Sequence, residues 1–282
     1  MRNTYFGQAD ATQLTDDYVV AGLNYLSRAI ARPRVYADEP PLGKPRNSGA
    51  FEMHAMVISN LRSHCRRLSL DQHGLKLVRH ESAVRNLLDE DEVTRVYYAE
   101  TAQLLARETR ASRVVVFDHT IRGRLPPGIS GNHRSPVTNV HVDYTIDSAT
   151  RRVRALMGEE AEGLLRRRVA IMNVWRPIRA PLREWPLAVA DAASIELGEL
   201  VVADLIYPDR TGGIYYVTYS PSHRWFYVPS MQVDEVLIFK NYDSDNRCAG
   251  RFAAHCAFED PTKWPAVESR ASVEARAVVF WG

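Results

Sequence analysis

The apolar positions of this chain change their spacing along its length. Around residues 89–109 they recur every three to four residues, with glutamate and arginine between them, which predicts an amphipathic helix. Residues 149–168 keep this spacing and predict a second helix, with Gly158 weakening its middle. Residues 32–48 contain four prolines and one glycine and predict an irregular surface segment.

The remaining pattern is typical of β-strands. From residue 169 onward, short runs rich in Val, Ile, Tyr, Phe and Trp follow one another. The predicted strands are residues 114–117, 169–178, 200–207, 213–220, 224–228, 235–242, 252–258 and 272–281. Many short strands in series predict a mainly β protein with flanking helices, folded as a double-sheet jelly roll or related barrel. We expect one domain over residues 1–282, in which a helical or irregular part (1–112) packs on a jelly-roll core (113–282).

Composition narrows the class of protein. The chain has 282 residues, of which 45% are hydrophobic and 25% charged, and its formal charge of +2 gives no basis for a nucleic-acid or membrane partner. No apolar run approaches the roughly 20 residues that span a bilayer, and the first residues lack the apolar core of a signal peptide. Cys65, Cys248 and Cys256 have no CxxC spacing and predict neither a disulfide framework nor a zinc finger. We therefore expect a cytoplasmic protein in a reducing compartment, and the pattern leaves a homodimer open.

The strongest candidates for chemistry are His141 and Asp143, which one residue separates. On a strand, both side chains point to the same face. A second histidine, His255, lies far downstream in the apolar run 252–258. Two imidazoles and one carboxylate on one side of a metal leave positions open opposite it, as in non-haem Fe(II) oxygenases. Each residue also has an ordinary interpretation, because His-x-Asp occurs by chance and a lone histidine in an apolar strand is more often a core residue.

Charged and polar residues alternate on the last predicted strand, where Arg270, Ser272, Glu274 and Arg276 share one face. Charges on an inward face are costly unless they are paired. An arginine fork binds a carboxylate through two hydrogen bonds, and a neighbouring hydroxyl can add another. Arg270 with Ser272 are therefore candidates for holding the distal carboxylate of a dicarboxylic acid such as 2-oxoglutarate. The alternative, favoured for Glu274 and Arg276, is an internal salt bridge on an exposed edge strand.

Other polar and aromatic residues have two interpretations each. The segment 173–177 places an amide and a cation in an apolar run, either to anchor a substrate or because Arg176 stacks on Trp175. His119 is a candidate supporting or structural residue, and His223, near a turn, could face substrate. The aromatic candidates for a substrate pocket, each of which could equally belong to the core, are Tyr216, Trp225, Phe226 and Tyr227.

Taken in order, these segments resemble a known group of proteins. The blocks are FDHTIR (117–122), HVD (141–143), NVWRP (173–177), HRWFY (223–227), DEVLIFKNYDS (234–244), HCAFEDP (255–261) and RASVEAR (270–276). Their series is similar to the AsaB/CmcJ/NvfI-type hydroxylase/desaturase family of secondary metabolism. The resemblance covers roughly the last two-thirds of the chain, and the long blocks are far more specific than His-x-Asp alone.

The resemblance implies a double-stranded β-helix fold and an Fe(II)/2-oxoglutarate-dependent dioxygenase. Such an enzyme uses O2 to hydroxylate, desaturate or form an endoperoxide in a natural-product intermediate. Carried over by motif, His141, Asp143 and His255 are the iron ligands. Arg270 and Ser272 match the Arg-x-Ser pattern that binds 2-oxoglutarate in the wider superfamily. The spacing of 15 residues from His255 to Arg270 is longer than in many relatives, which leaves Arg276 as a rival anchor.

Two other functions remain as alternatives at this stage. A His-Asp-His site could hold zinc for hydrolysis or isomerisation, although that function leaves Arg270 without a role. The chain could also be a metal-free jelly-roll binding protein in which the histidines and the aspartate are structural. The oxygenase, which the resemblance favours over both alternatives, predicts a small-molecule natural product as the partner.

Overall fold

The computed structural model describes residues 17–123, 133–262 and 269–282. Strands make up most of the regular structure in these ranges. They are β1 Tyr18–Leu26, β2 Arg34–Tyr36, β3 Phe51–Asn60, β4 Leu75–Arg79, β5 Arg113–Gly123, β6 His133–Arg134, β7 His141–Val142, β8 Val169–Pro177, β9 Leu187–Ala190, β10 Leu200–Ile206, β11 Thr211–Val217, β12 Trp225–Tyr227, β13 Glu235–Asp243, β14 His255–Ala257 and β15 Ala271–Phe280. The helices are α1 Leu61–His64, α2 Leu70–His73, α3 Glu90–Glu92, α4 Tyr98–Thr109, α5 Ile146–Met157 and α6 Ala161–Leu165.

Two sheets form the body of the described residues. The larger has nine strands in the order β1-β3-β12-β9-β14-β7-β11-β10-β2, and the smaller has six in the order β4-β13-β8-β15-β5-β6. Most neighbours are antiparallel, and the parallel pairs are β3 with β12, β2 with β10, and β5 with β6. Helix α4 packs against β5 and β15 of the smaller sheet. This arrangement confirms the prediction of a mainly β jelly roll with flanking helices.

The long periodic segments agree well with the prediction from sequence. The helix expected over residues 89–109 is one helical stretch in which a wider turn, Val93–Tyr97, joins α3 to α4. The helix expected over 149–168 divides into α5 and α6 at Gly158, where the backbone has a positive φ of 53°. Within the described residues no helix is long and apolar enough to cross a membrane.

The N-terminal part differs from the expectation of a helical or irregular segment over residues 1–112. Strands β1 and β3 pair along their whole length and form one edge of the nine-stranded sheet. Residues 1–16 lie outside the described ranges. The two strands were hard to see in the sequence because Val20 and Val57 are apolar and yet exposed, so hydrophobic and polar residues do not alternate cleanly.

Alternate residues of two strands of the smaller sheet place polar side chains on its inner face. Glu274 of β15 lies directly opposite Trp175 of β8, and Arg276 lies opposite Asn173, so these four side chains share one face. The residues between them, such as Val273 and Ala275, belong to apolar clusters of the other face, on the side of α4. The prediction that alternate residues of the last strand face one way is therefore confirmed.

A β-bulge interrupts the pairing of β13 with β8 between Lys240 and Tyr242. An ion pair spans it, because the fully buried Lys240 Nζ donates to Asp243 Oδ2 at 2.6 Å. The same carboxylate accepts bonds from Arg168 at 2.7 and 3.1 Å and from the backbone N–H of Asp245 at 3.0 Å. The bulge places Asn241 beside the neighbouring sheet, as bulges near functional sites often do.

We expect Asp243→Ala to destabilise the protein by about 3 kcal/mol, because it leaves the ammonium of Lys240 buried without its nearest counter-charge. Urea unfolding followed by circular dichroism measures the change in the free energy of unfolding. The matched control is Glu39→Ala, which removes an ion pair whose side chains are 90% and 59% exposed. It should cost less than about 1 kcal/mol, and equal losses in both variants would contradict a structural role for the buried pair.

Candidate metal centre

His141, Asp143 and His255 come together at the meeting point of the two sheets. Strand β7 is only two residues long, and His141 pairs with His255 of β14 on one side and with Tyr216 of β11 on the other. Residues directly opposite in a ladder share a face, so the two imidazoles lie side by side, with ring centres 4.4 Å apart. Asp143 follows the strand and turns towards the same face. The three ligand atoms lie within 4.8 Å of one another.

Local contacts fix the orientation of both rings. His141 Nδ1 lies 2.8 Å from the carbonyl oxygen of Asn139, and His255 Nδ1 lies 3.3 Å from that of Ala253. A carbonyl only accepts, so each Nδ1 carries a proton, and Nε2 is the ring nitrogen left to offer a lone pair to a metal. Both Nε2 atoms face Asp143 Oδ1, at 3.3 and 3.6 Å. Two lone pairs aimed at a carboxylate oxygen form a donor set that fits a divalent cation between them.

Hydrogen bonds to the oxygen that does not face the histidines orient the carboxylate of Asp143. Its Oδ2 accepts hydrogen bonds from Asn173 Nδ2 at 2.9 Å and from Arg276 Nε at 3.2 Å, while its backbone N–H donates to Asn241 Oδ1 at 2.9 Å. Oδ1 is thereby left to the histidines. The chain then turns sharply, because Thr145 caps α5 by a reciprocal pair of bonds with Ser148.

Burial and neighbouring charges set the protonation states. Burial lowers the pKa of His141, and the adjacent His255 lowers it further, so this imidazole stays neutral and available as a ligand. Burial alone would raise the pKa of Asp143. The contacts with both histidines and the charge of Arg276 outweigh burial and hold that pKa well below its usual value, so the carboxylate is ionised.

Arg276 does not line the neighbouring pocket. Besides Asp143, it contacts Glu274 at 3.4 Å, Asp118 at 3.0 Å and Thr120 at 3.1 Å. These carboxylates outweigh burial and raise the pKa of Arg276 well above its usual value. Arg276 is therefore engaged in orienting the carboxylate of Asp143 and in neutralising the acids around it.

A small, partly open pocket lies beside the histidines. Its lining residues come from both sheets and combine apolar and charged groups, and they are Arg122, Val137, His141, Trp175, Leu187, His255, Cys256, Ala257, Arg270 and Glu274. The mixture of a small apolar wall with a few convergent polar groups is typical of small-molecule sites.

Arg270 is the more deeply buried of the two arginines that line this pocket, and it is 3% exposed. Its Nε donates to Ser272 Oγ at 3.1 Å, and its Nη1 donates to the carbonyl oxygen of Trp185 at 2.5 Å. Among the described residues no carboxylate lies within ion-pairing distance of its guanidinium, although Glu184 Oε2 accepts a bond from its backbone N–H at 2.7 Å. Burial and the like charge of Arg122 lower the pKa of Arg270 to about 9, and the charges of Glu274 and Glu184 offset this only in part.

Several other sequence candidates lie apart from this centre. His223 is buried, and its two ring nitrogens contact Glu199 Oε2 at 2.8 Å and Tyr25 OH at 3.1 Å, so it supports the fold rather than facing a substrate. His119 contacts Tyr98 OH at 3.1 Å. The four aromatic candidates are all buried in apolar clusters, and they are Tyr216, Trp225, Phe226 and Tyr227.

The structure also places Arg176, Asn241 and the three cysteines. Arg176 does not stack on Trp175, because adjacent residues of β8 face opposite sides, and its guanidinium lies 5.7 Å from the ring centre of Tyr97. Asn241 was not among the sequence candidates. Its only signal was a polar residue in the apolar strand 235–242. The three cysteines are free, and Cys256 is fully buried, as expected for a small apolar side chain.

The fold and this centre together define an oxidoreductase of the double-stranded β-helix class. Residues 23–280 match the family profile described as "Oxidoreductase/YMDC permease-like domain". The α-ketoglutarate-dependent dioxygenase phiK of a fungal species is 35% identical over 240 residues, which cover 82% of this chain and 85% of the relative. The hydroxylase/desaturase efuI of Hormonema carpetanum is 32% identical, with 82% and 85% covered.

A solved structure agrees with these relatives. The iron and alpha-ketoglutarate-dependent endoperoxidase NvfI superposes with a TM-score of 0.85 at 27% identity, and the match covers 95% of this chain and 100% of that one. The curated sequence of the same name, from Aspergillus novofumigatus, is 33% identical over 257 residues, which cover 88% of this chain and 90% of the relative. The chain belongs to the hydroxylase/desaturase family of Fe(II)/2-oxoglutarate-dependent dioxygenases, and the resemblance noted in its sequence is confirmed.

We expect the protein to bind one divalent cation between the two histidines and Asp143. His141→Ala should weaken binding of Mn(II) by more than about a hundredfold, because it removes a ligand rather than a supporting residue. Isothermal titration calorimetry of the metal-free protein measures the affinity. The control is His54→Ala, which removes a partly exposed imidazole stacked on Tyr219. Unchanged Mn(II) affinity in His141→Ala would mean that the three residues do not form a metal site.

Proposed function

We propose that this protein uses Fe(II), 2-oxoglutarate and O2 to oxidise a C–H bond of a small natural-product intermediate by hydroxylation, desaturation or endoperoxide formation. The observation that carries the proposal is the pairing of two features. One is a buried His-Asp-His donor set that fits iron. The other is the adjoining pocket, in which the guanidinium of the buried Arg270 contacts no carboxylate of the described residues. The family supplies the reaction class, since its members are named dioxygenases, hydroxylases and desaturases.

In this proposal His141, Asp143 and His255 hold the iron through Nε2, Oδ1 and Nε2. The contacts of Asn173 and Arg276 with Asp143 Oδ2 would keep the carboxylate bound through one oxygen only. Ligation through a single oxygen leaves more positions free for co-substrate and O2 than chelation by both oxygens would. Iron with 2-oxoglutarate and O2 supplies the oxidising power that removes hydrogen from the substrate, with succinate and CO2 as the co-products.

Arg270 is the proposed anchor for the distal carboxylate of 2-oxoglutarate, with Ser272 orienting the guanidinium. Both arginines of the segment 270–276 were candidates from the sequence, and their surroundings separate them. Arg276 already contacts three carboxylates, whereas the guanidinium of Arg270 lines the pocket and, among the described residues, donates to a hydroxyl and a carbonyl oxygen but to no carboxylate. A dianion in the pocket would place a negative charge in direct contact with Arg270.

The apolar part of the pocket excludes water from the reaction. Leu187, Ala257 and Cys256 line it beside the two histidines, and Phe239 packs against His255 with ring centres 4.7 Å apart. A dry site strengthens the interaction between Arg270 and a bound carboxylate. It also protects a reactive site from side reactions with solvent.

We expect the Fe(II)-loaded protein to convert 2-oxoglutarate to succinate under air, slowly without substrate and faster with a suitable natural product. Anaerobic addition of 2-oxoglutarate to the Fe(II) protein should give a visible charge-transfer absorption. Spectrophotometry and quantification of succinate check both results. A Zn(II)-loaded control should give neither signal. Hydrolysis or isomerisation supported by Zn(II) without oxygen uptake would favour the zinc enzyme instead.

The two arginines should fail in different ways when they are replaced. Arg270→Gln should raise the Kd of 2-oxoglutarate by about a hundredfold, because it removes the charge that binds the distal carboxylate, and should leave Mn(II) affinity unchanged. Arg276→Gln should lower Mn(II) affinity by about ten- to a hundredfold, because Asp143 loses a bond that orients it. Calorimetry with metal and then with co-substrate separates the two effects. The reverse pattern would make Arg276 the anchor.

A further inference from the structure

The indole of Trp175 has a buried donor without a partner. The residue is 1% exposed, and its Nε1–H meets no acceptor among the described residues. Nearly all buried donors in folded proteins are hydrogen-bonded, because an unpaired one loses its bond to water and gains nothing. The other buried indole of the core follows this rule, since Trp225 Nε1 donates to Tyr25 OH at 2.7 Å.

Trp175 belongs to the same pocket as Arg270. Both residues line it, and the guanidinium carbon of Arg270 lies 5.3 Å from the centre of the indole ring. Such a cation–π contact orients the arginine as well as stabilising it. Trp175 also lies opposite Glu274 in the ladder of β8 with β15, on the face that presents Ser272.

The carboxylate of the neighbouring Glu274 accepts neither from the indole N–H of Trp175 nor from the guanidinium of Arg270. Glu274 Oε1 accepts from Asn173, and its Oε2 accepts from Arg122 at 3.3 Å and from Arg276 at 3.4 Å. Within the part of the chain that the structure describes, Arg270 donates to Ser272 and to the carbonyl oxygen of Trp185 but to no carboxylate. Two residues that line the pocket, a buried cation and an indole with an unpaired N–H, therefore lie in contact.

We propose that the Nε1–H of Trp175 donates a hydrogen bond to the distal carboxylate of 2-oxoglutarate, beside the charge of Arg270. Trp175 is then a co-substrate-binding residue with two roles, because its ring face supports Arg270 and its N–H contacts the ligand. The inference rests on the proposed function, since it requires 2-oxoglutarate in this pocket. A carboxylate has room for both donors, as each of its oxygens can accept two bonds.

The test compares two ligands and one conservative variant. Trp175→Phe keeps an aromatic face for Arg270 and removes the N–H together with the five-membered ring that carries it. 2-Oxopentanoate has the keto acid and chain length of 2-oxoglutarate but lacks the distal carboxylate. In the Mn(II)-loaded protein without oxygen, calorimetry should show the Kd of 2-oxoglutarate rising about ten- to a hundredfold in Trp175→Phe. The affinities for 2-oxopentanoate and for Mn(II) should stay within about twofold of the wild type.

Trp281→Phe is the matched control, because it removes an indole N–H that donates to the carbonyl oxygen of Thr109. It should leave 2-oxoglutarate binding unchanged. Equal losses for both ligands in Trp175→Phe would mean that the indole only shapes the pocket, and no loss would mean that water satisfies the N–H. Either result overturns this inference while leaving the proposed function intact. Failure of the wild type to bind 2-oxoglutarate would overturn both.

A second measurement does not depend on the folding of the variant. The chain has five tryptophans, so the Zn(II)-loaded protein with 15N-labelled tryptophan gives at most five indole N–H signals. One of them should move downfield when 2-oxoglutarate is added and should not move with 2-oxopentanoate. A response that is the same for both ligands would contradict a hydrogen bond to the distal carboxylate.

Discussion

The carboxylate of Asp143 is the group on which the rest of the site depends. Asp143 follows a strand of the nine-stranded sheet, yet its carboxylate accepts bonds from Asn173 and Arg276 and its backbone N–H donates to Asn241, and these three residues all belong to the six-stranded sheet. The two histidines that face its free oxygen belong to the first sheet. A single carboxylate therefore ties the sheets together at the point where a metal would bind. Any change in the spacing of the sheets would alter both its hydrogen bonds and its ligand geometry.

This arrangement buries several charged groups, and they alternate regularly along the sequence. Arg270, directly before strand β15, shares a face with Glu274 and Arg276 of that strand. The amide of Asn173 links Glu274 to Asp143. Each acid near the metal site has at least one cationic neighbour, so the carboxylates remain ionised without access to bulk water. Because each of these groups contacts two or three others, their contributions to stability will not be additive.

The sequence predicted those parts of the fold in which the pattern is long and local. The helices around residues 89–109 and 149–168 and most strands from residue 169 onward follow from the residue pattern, but strand β9 was not predicted. The sequence did not predict the first strands, because apolar residues on the exposed side of β1 and β3 hide the alternation. Strands of two or three residues, such as β7 and β14, exist only through their neighbours in the sheet and leave little local signal.

The residues of the site divide in the same way. Some belong to a local sequence pattern, and the role of others depends on contacts that form only in the folded protein. His-x-Asp and the alternating residues of the last strand are local patterns, and these gave the candidates. The role of Asn241 depends on the bulge in its own strand, β13, and on a contact with the other sheet, which no local pattern reveals. Trp175 was visible only as an aromatic residue in an apolar run. Its unpaired N–H and its contact with Arg270 exist only in the folded protein.

Arg270 and Arg276 illustrate why residue type and strand face do not settle function. They lie six positions apart in the segment 270–276, with Arg276 in strand β15 and Arg270 directly before it, and their surroundings differ. Arg276 is matched by acids and so contributes to the native structure whether or not a ligand is present. Arg270 is buried, and no acid of the described residues contacts its guanidinium, so burial lowers its pKa. A ligand carboxylate in contact with Arg270 would stabilise its charged form. Ligand binding would therefore also stabilise the native structure at this end of the pocket.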